Sequence, residues 1–171
     1  MGRDELYIEA ARTFGSALQR LVRVYESDAD KARDLLQDIH IALWQSFETF
    51  DGRCSLRTWV YRVAHCAAAS HVVKQLRSKG RGLVSLEEMD ERESAAALST
   101  ERDVSDRIVL ERMMNLIHQL QPMDRQLMLL YLEDVDAATI GEITGISPGN
   151  VRNRIYRIKA ILSRRLGSGT P

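Results

Sequence analysis

Cysteine is scarce, with Cys54 and Cys66 alone in 171 residues, which excludes a disulfide-built scaffold and suits free thiols in a reducing compartment. Also missing is any apolar stretch of the roughly 18 residues that a membrane span requires. The N-terminal Met1-Gly2-Arg3-Asp4-Glu5 lacks the basic and then apolar segments of a secretory signal, so the expected location is cytoplasmic, without membrane insertion. No apolar/polar alternation persists long enough for a strand, no internal repeat stands out, and no glycine-rich phosphate loop is present. What remains is an ordinary globular balance, 44% hydrophobic and 28% charged.

Net charge is lacking too, since 24 Lys and Arg balance 24 Asp and Glu, but the zero is a sum of blocks. From Asp51 to Gly82 seven basic residues face one acid, a net +6. From Leu83 to Glu111 nine acids face three arginines, a net −6. After Glu142 there is no acid at all, while Arg152, Arg154, Arg157, Lys159, Arg164 and Arg165 contribute +6. Two basic bodies flank an acidic connector, an arrangement suited to nucleic acid despite the neutral total.

Apolar spacing gives an all-α fold class. Tyr7, Ala11, Phe14, Leu18, Leu21 and Tyr25 recur at steps of four and three, which predicts a first helix. Asp28 is placed to cap a second, with Leu35, Leu36, Ile39, Leu43 and Phe47 inward and Gly52 as its breaker. Ser55 is placed to cap a third, with Leu56, Trp59, Val60, Val63 and Ala67 inward; this puts Trp59 in the core rather than against a base. Lys79-Gly80-Arg81-Gly82 breaks the pattern, and the Ala/Ser-rich acidic run at 83–103, carrying only a capping box at Ser85-Leu86-Glu87-Glu88, predicts a flexible linker. Ser105 restarts a helix through Ile108, Val109, Leu116, Ile117 and Leu120, and Pro122 opens another through Leu127, Leu130 and Tyr131. The expected organisation is two small helical domains, 1–82 and 104–171, joined by the linker.

The C-terminal part carries the clearest motif. Asp136 can cap a short helix containing Ile140 and Ile143, Gly145 suits a tight turn, and Ser147-Pro148 supplies a cap followed by proline at a first helical position. In the helix that follows, Val151, Ile155, Ile158 and Leu162 form the packing stripe. Asn150, Arg152, Asn153, Arg154 and Arg157 lie on or beside the other face, where Arg and Asn can read base edges and the helix N-terminus favours phosphate. Helix, tight turn and basic helix predict a helix-turn-helix whose second helix, about Pro148 to Arg165, enters the major groove.

Taken in order and spacing, Asp34 to Asp38 with Leu43-Trp44, Phe50 to Arg53, Leu56 to Ala64, Leu120 to Pro122 with Arg125, and Ile146 to Arg157 resemble bacterial RNA polymerase sigma factors of the extracytoplasmic function (ECF) subfamily. Asp34-Leu35-Leu36-Gln37-Asp38 with Leu43-Trp44 resembles the family's acidic helix, and the resemblance implies that Asp34, Gln37 and Asp38 bind the β′ clamp helices of the polymerase core. Phe50-Asp51-Gly52-Arg53 and the run from Leu56 to Ala64 resemble its promoter-melting loop and helix. The implied downstream-element residues are Phe50, Asp51, Arg53, Arg57, Arg62, His65, Cys66, Ser70 and Lys74, with Trp59 and Tyr61 as aromatic material nearby. Leu120-Gln121-Pro122 with Arg125 resembles the segment that meets the β flap. Ile146 to Arg157 resembles the helix that reads the upstream element, implying roles for Ser147, Asn150, Arg152, Asn153, Arg154 and Arg157. An anti-sigma factor is an implied partner, beside RNA polymerase core and promoter DNA.

The downstream helix departs from the family pattern. Where Arg-Asn and then Asp are common, this chain has His65-Cys66 and Ser70, which predicts altered or relaxed base choice, with Asp51 to Cys54 carrying more of the discrimination. Cys54, His65, Cys66 and His71 do not form a metal site by spacing, because no CxxC pair exists and His65 and His71 share a helix face poorly; a buried thiol is the ordinary expectation for such cysteines. No nucleophile stands with an acid and base, so neither enzyme activity nor a cofactor is expected. The expected function is to bind polymerase core, recognise two-part promoters and initiate transcription of a stress or envelope-signal regulon. A helix-turn-helix regulator that never joins polymerase is the alternative, but it leaves the basic third helix and the segment from Asp34 to Trp44 without a role. A helical adaptor or anti-sigma-like partner would have no use for two basic domains.

Overall fold

The computed structural model describes residues 2–79 and 106–167, and among them the chain is wholly helical. Seven helices follow in order: α1 (Arg3–Tyr25), α2 (Ala29–Ser46), α3 (Leu56–Lys79), α4 (Asp106–Gln119), α5 (Pro122–Leu132), α6 (Ala137–Thr144) and α7 (Pro148–Gly167). The break at Gly80-Arg81-Gly82, the acidic stretch 83–103 with its Ser85 capping box, Ser105, and the side chains of Ile108 and Val109 lie outside the described residues.

Local chemistry sets the helix ends. Asp28 accepts from the backbone N–H groups of Asp30 and Lys31 at 3.0 and 3.1 Å, starting α2. Ser55 Oγ accepts from Thr58 N–H at 3.1 Å before α3. Asp136 accepts from Ala138 and Thr139 at 2.9 and 3.0 Å, starting α6. Pro122 and Pro148 open α5 and α7, where a missing N–H costs nothing. Gly145 ends α6 at φ 78°, the left-handed conformation that glycine adopts without strain.

The first three helices bury Leu18, Leu21, Leu35, Ile39, Leu43, Val60 and Ala64 against one another. The last four bury Ile117, Leu120, Leu127, Leu130, Ile140, Val151 and Ile158. Full burial of each large aliphatic side chain stabilises by about 1.5–3 kcal/mol, so either group has the material of a small core. The two groups also pack together: α1 lies against α4 and α5, and α3 lies against α5 and α6.

The predicted face of α3 is corrected. Val60 is fully buried as expected and Trp59 is half-buried, its indole N–H donating to Ser46 Oγ at 3.0 Å. Tyr61, His65, Ala68 and Val72 are buried as well, although only one apolar stripe had been expected. Tyr61 meets the Phe14 ring and His65 meets Tyr25, so α1 buries a face of α3 next to the stripe expected from the spacing. Tyr131 departs in the opposite sense: it is 38% exposed at the end of α5, and Lys159 Nζ donates to its hydroxyl at 2.9 Å.

Gly141 fixes the approach of α6 to the turn. A Cβ there would lie 2.7 Å from the carbonyl oxygen of Ile146 and 3.6 Å from the Pro148 ring. Backbone cannot yield as a flexible side chain does, so Gly141→Ala should destabilise the fold by about 1–2 kcal/mol and splay α6 from α7. A chemical-denaturation midpoint that does not move would refute this tight approach.

Candidate nucleic-acid interface

The outward face of α7 assembles as the spacing predicts. Val151, Ile155, Ile158, Ile161 and Leu162 are buried, which leaves Asn150, Arg152, Asn153, Tyr156, Arg157 and Lys159 exposed. Ser147 lies before the helix and accepts from Asn150 N–H at 3.3 Å, so its hydroxyl serves the helix start. Tyr156, 75% exposed, is the most open large hydrophobic side chain among the described residues, and the run Ile146 to Arg157 implied no separate role for it. Its position four residues after Arg152 and three after Asn153 was the available signal.

Arg154 lies beside that face rather than on it, and its guanidinium is engaged. Its Nε and Nη2 lie 2.9 and 2.8 Å from Oδ1 of Asp124, a carboxylate 1% exposed in the first turn of α5. Three residues beyond buried Val151 and one before buried Ile155, the side chain leaves the shoulder of the helix and turns towards the body.

On α3 and the loop before it, the expected downstream residues divide. Asp51, Arg53, Arg57, Cys66, Ser70 and Lys74 are exposed. Asp51 pairs with Arg53 at 3.0 Å, and the Arg57 guanidinium lies 5.9 Å from the Tyr61 ring centroid. Ala69, Ser70, Val73, Lys74 and Arg77 line a shallow concavity of about 470 Å³. Phe50 is half-buried against Phe47 and Trp59, with ring centroids 6.1 and 5.2 Å away. Arg62 is exposed, but its guanidinium donates to the carbonyl of Glu142 on α6.

His65 does not belong to an exposed DNA surface. It is 2% exposed, its Nδ1 lies 3.0 Å from the Tyr25 hydroxyl, and its ring stacks on that of Tyr61. Tyr25 in turn donates to the carbonyl of Pro122 at 3.1 Å. One proton on that hydroxyl means that His65 must donate from Nδ1, which leaves Nε2 buried and without a hydrogen-bond partner. Burial holds the His65 pKa down to about 3 and pushes the Tyr25 hydroxyl upward, although Arg125 opposes the latter. The expected buried thiols are also corrected: Cys66 is exposed and Cys54 partly so. His71 is engaged elsewhere, 3.1 Å from the Glu26 carboxylate and 2.7 Å from Gln75 Nε2.

Arg125, read from the sequence as part of a flap-meeting segment, is 4% exposed. It donates to the carbonyls of Leu120 at 2.9 Å, Tyr25 at 3.4 Å and His118. Further polar contacts join the same two groups of helices: Arg20 with Glu133, and His118 Nε2 with the carbonyl of Arg23 at 2.9 Å.

Asp34, Gln37 and Asp38 are all exposed on α2, and Ile41 and Trp44 continue that face at 47% and 37% exposure. Trp44 donates to Asp4 Oδ1 at 2.9 Å while the Arg3 guanidinium lies 3.6 Å above its ring. The result is an acidic and apolar strip along one helix.

Residues 11–78 match the family described as Sigma-70 region 2, and residues 110–162 match Sigma-70, region 4. The chain is 27% identical over 165 residues to the RNA polymerase sigma factor NccH of Alcaligenes xylosoxydans xylosoxydans, an overlap of 94% of this chain and 80% of that one. It is 25% identical over 138 residues to the ECF RNA polymerase sigma-E factor of Escherichia coli (strain K12), covering 78% and 72%. Its fold is similar to CnrH in complex with the cytosolic domain of CnrY, with TM-score 0.66, 18% identity, and coverage of 95% and 88%. A second similar fold is the sigma factor RpoE in complex with the anti-sigma factor NepR from Bartonella quintana, with TM-score 0.64, 18% identity, and coverage of 96% and 98%. The chain belongs to the extracytoplasmic function (ECF) family of RNA polymerase sigma factors, and its role is transcription initiation.

Proposed function

We propose that this sigma factor grips a two-part promoter, with residues 104–171 reading the upstream element in duplex form and residues 1–82 binding polymerase core and melting the downstream element. The observation that carries this reading is the exposed row Asn150, Arg152, Asn153, Tyr156 and Arg157 on the second helix of a helix-turn-helix. Arg and Asn can make bidentate contacts to guanine and adenine, and Tyr156 adds an apolar surface for a thymine methyl. The exposed strip Asp34, Gln37, Asp38, Ile41 and Trp44 supports a separate docking face for the β′ clamp helices. The exposed end of α5, at Tyr131 and Leu132, supports contact with the β flap better than buried Arg125 does. At the downstream element, Asp51, Arg53, Arg57, Cys66, Ser70 and Lys74 remain the contact set, and His65 supports them from inside. An anti-sigma factor is the expected regulatory partner, by analogy with the complex of RpoE and the anti-sigma factor NepR. A stress or envelope-signal regulon is the proposed output. A cytoplasmic location goes with that role, and no described helix is long and apolar enough to cross a membrane.

Transcription by reconstituted holoenzyme from a promoter pool randomised at both elements tests the reading. The selected upstream element should be sharp, and Asn153→Ala should lower transcription from it about 10-fold with core binding unchanged. The downstream element should be less sharply defined, because a thiol and a hydroxyl replace an amide and a carboxylate. A chain that binds DNA but not core polymerase would favour a regulator acting alone.

A further inference from the structure

We propose that Asp124 is a specificity-setting positioning residue, which neutralises Arg154 at the shoulder of the recognition helix and thereby keeps its charge from the DNA backbone. The proposal rests on α7 being the upstream-element reader. Its starting observation is that a buried carboxylate from a different helix takes both Nε and Nη2 of one arginine, at 2.9 and 2.8 Å, on a helix with five other cations and no acid.

Packing alone gives little reason for that pair. Burying a carboxylate is costly, and an apolar pair of similar size often stabilises a core as well or better. Arg154 remains 41% exposed, so its charge could have been turned outward to the solvent or to a phosphate. The consequence for recognition is larger. A cation that reaches phosphate strengthens binding to every sequence alike, whereas base-edge contacts strengthen only the correct one. Tying back one cation therefore lowers general affinity and leaves the discrimination to Asn150, Arg152, Asn153 and Tyr156. Asp124 is well suited to hold it, because it occupies the first turn of α5, where the helix dipole favours a negative charge.

Holoenzyme binding to duplexes carrying the selected or a scrambled upstream element, measured by fluorescence anisotropy between 50 and 200 mM salt, tests this. Asp124→Asn keeps an acceptor but removes the charge. It should tighten binding to the scrambled duplex several-fold, reduce the selected-to-scrambled ratio, and steepen the logarithmic salt dependence by roughly 0.9, about a further 3-fold loss over that range. Arg154→Gln should leave slope and ratio near those of the wild type, and the double variant, which restores a neutral pair, should do the same. The proposal is overturned if Arg154→Gln flattens the slope by about one phosphate contact, for then the arginine already touches DNA. It is equally overturned if Asp124→Asn changes only thermal stability. Asn153→Ala provides the separating control. If it lowers the ratio while Asp124→Asn is silent, only the positioning role fails; if it leaves the ratio untouched, the recognition reading falls and this proposal with it.

Discussion

Arg125→Met should destabilise the folded chain by about 3 kcal/mol and uncouple the two groups of helices. Its guanidinium faces the carbonyls of Leu120 and His118 at the end of α4 and that of Tyr25 at the end of α1. The last carbonyls of any helix lack partners within it. One side chain thus caps two helix ends that belong to different parts of the chain, and it also lies 5.9 Å from the Tyr25 ring. Burial lowers the Arg125 pKa, while Tyr25 and Glu26 act to raise it. Methionine fills much of the volume but donates nothing, so buried carbonyls lose their donor at about 1–3 kcal/mol each. Differential scanning calorimetry should show an earlier transition, and small-angle scattering a larger radius. An unchanged midpoint and radius would rule out Arg125 as the joint between the groups.

The contrast between Arg125 and Asp136 marks where sequence reading succeeds. Asp136, Asp28, Ser55, Gly145 and Pro148 act on backbone within a few residues, so their roles are written in local spacing. The packing stripe of α7 was legible for the same reason, since Val151, Ile155, Ile158 and Leu162 repeat against a single neighbouring surface. The bonds from Tyr25 to His65 and from Arg125 to Tyr25 span 40 and 100 residues, and nothing near either end records the partner. In α3 the difficulty is compounded. The stripe read as the core face was only part of the buried surface, because Phe14 and Tyr25 of α1 bury Tyr61 and His65 on a neighbouring face of α3.

The site residues follow the same division. Arg152 and Asn153 were identified from their place opposite the apolar stripe, and they are exposed. Arg154 stands nearer the packing stripe, and its outcome depends on a buried acid 30 residues earlier. A sequence with plentiful Asp and Glu does not announce which one will be buried. His65 was assigned to DNA by family position, and the phenol of Tyr25, 40 residues away, is what draws it inward.

That inward position makes His65 an acid-sensitive element of the fold. In the folded chain its pKa is about 3, against 6.5 for an unperturbed histidine, because burial excludes the charged form. The bare Nε2 agrees with this, since a proton added there would find no acceptor. Since the folded pKa lies below the unfolded one, the unfolded chain binds the extra proton. The neutral ring's contribution is therefore intact above about pH 6.5 and is lost progressively as the pH falls towards 3. The loss is about 2 kcal/mol at pH 5 and about 3 kcal/mol at pH 4. Glu26 adds to acid sensitivity in the same direction: burial raises its pKa, but hydrogen bonds from Asp28 N–H, Gln75 and His71, with the charge of His71, outweigh that and lower it. Comparison with His65→Phe separates the contributions, because phenylalanine keeps the ring contact with Tyr61 and removes both the proton site and the orphaned nitrogen. Denaturation free energies measured from pH 8 to pH 5 should fall about 2 kcal/mol further for the wild type than for the variant. Parallel curves would mean that His65 takes up its proton without leaving the folded state, and that the burial described for it does not control its charge.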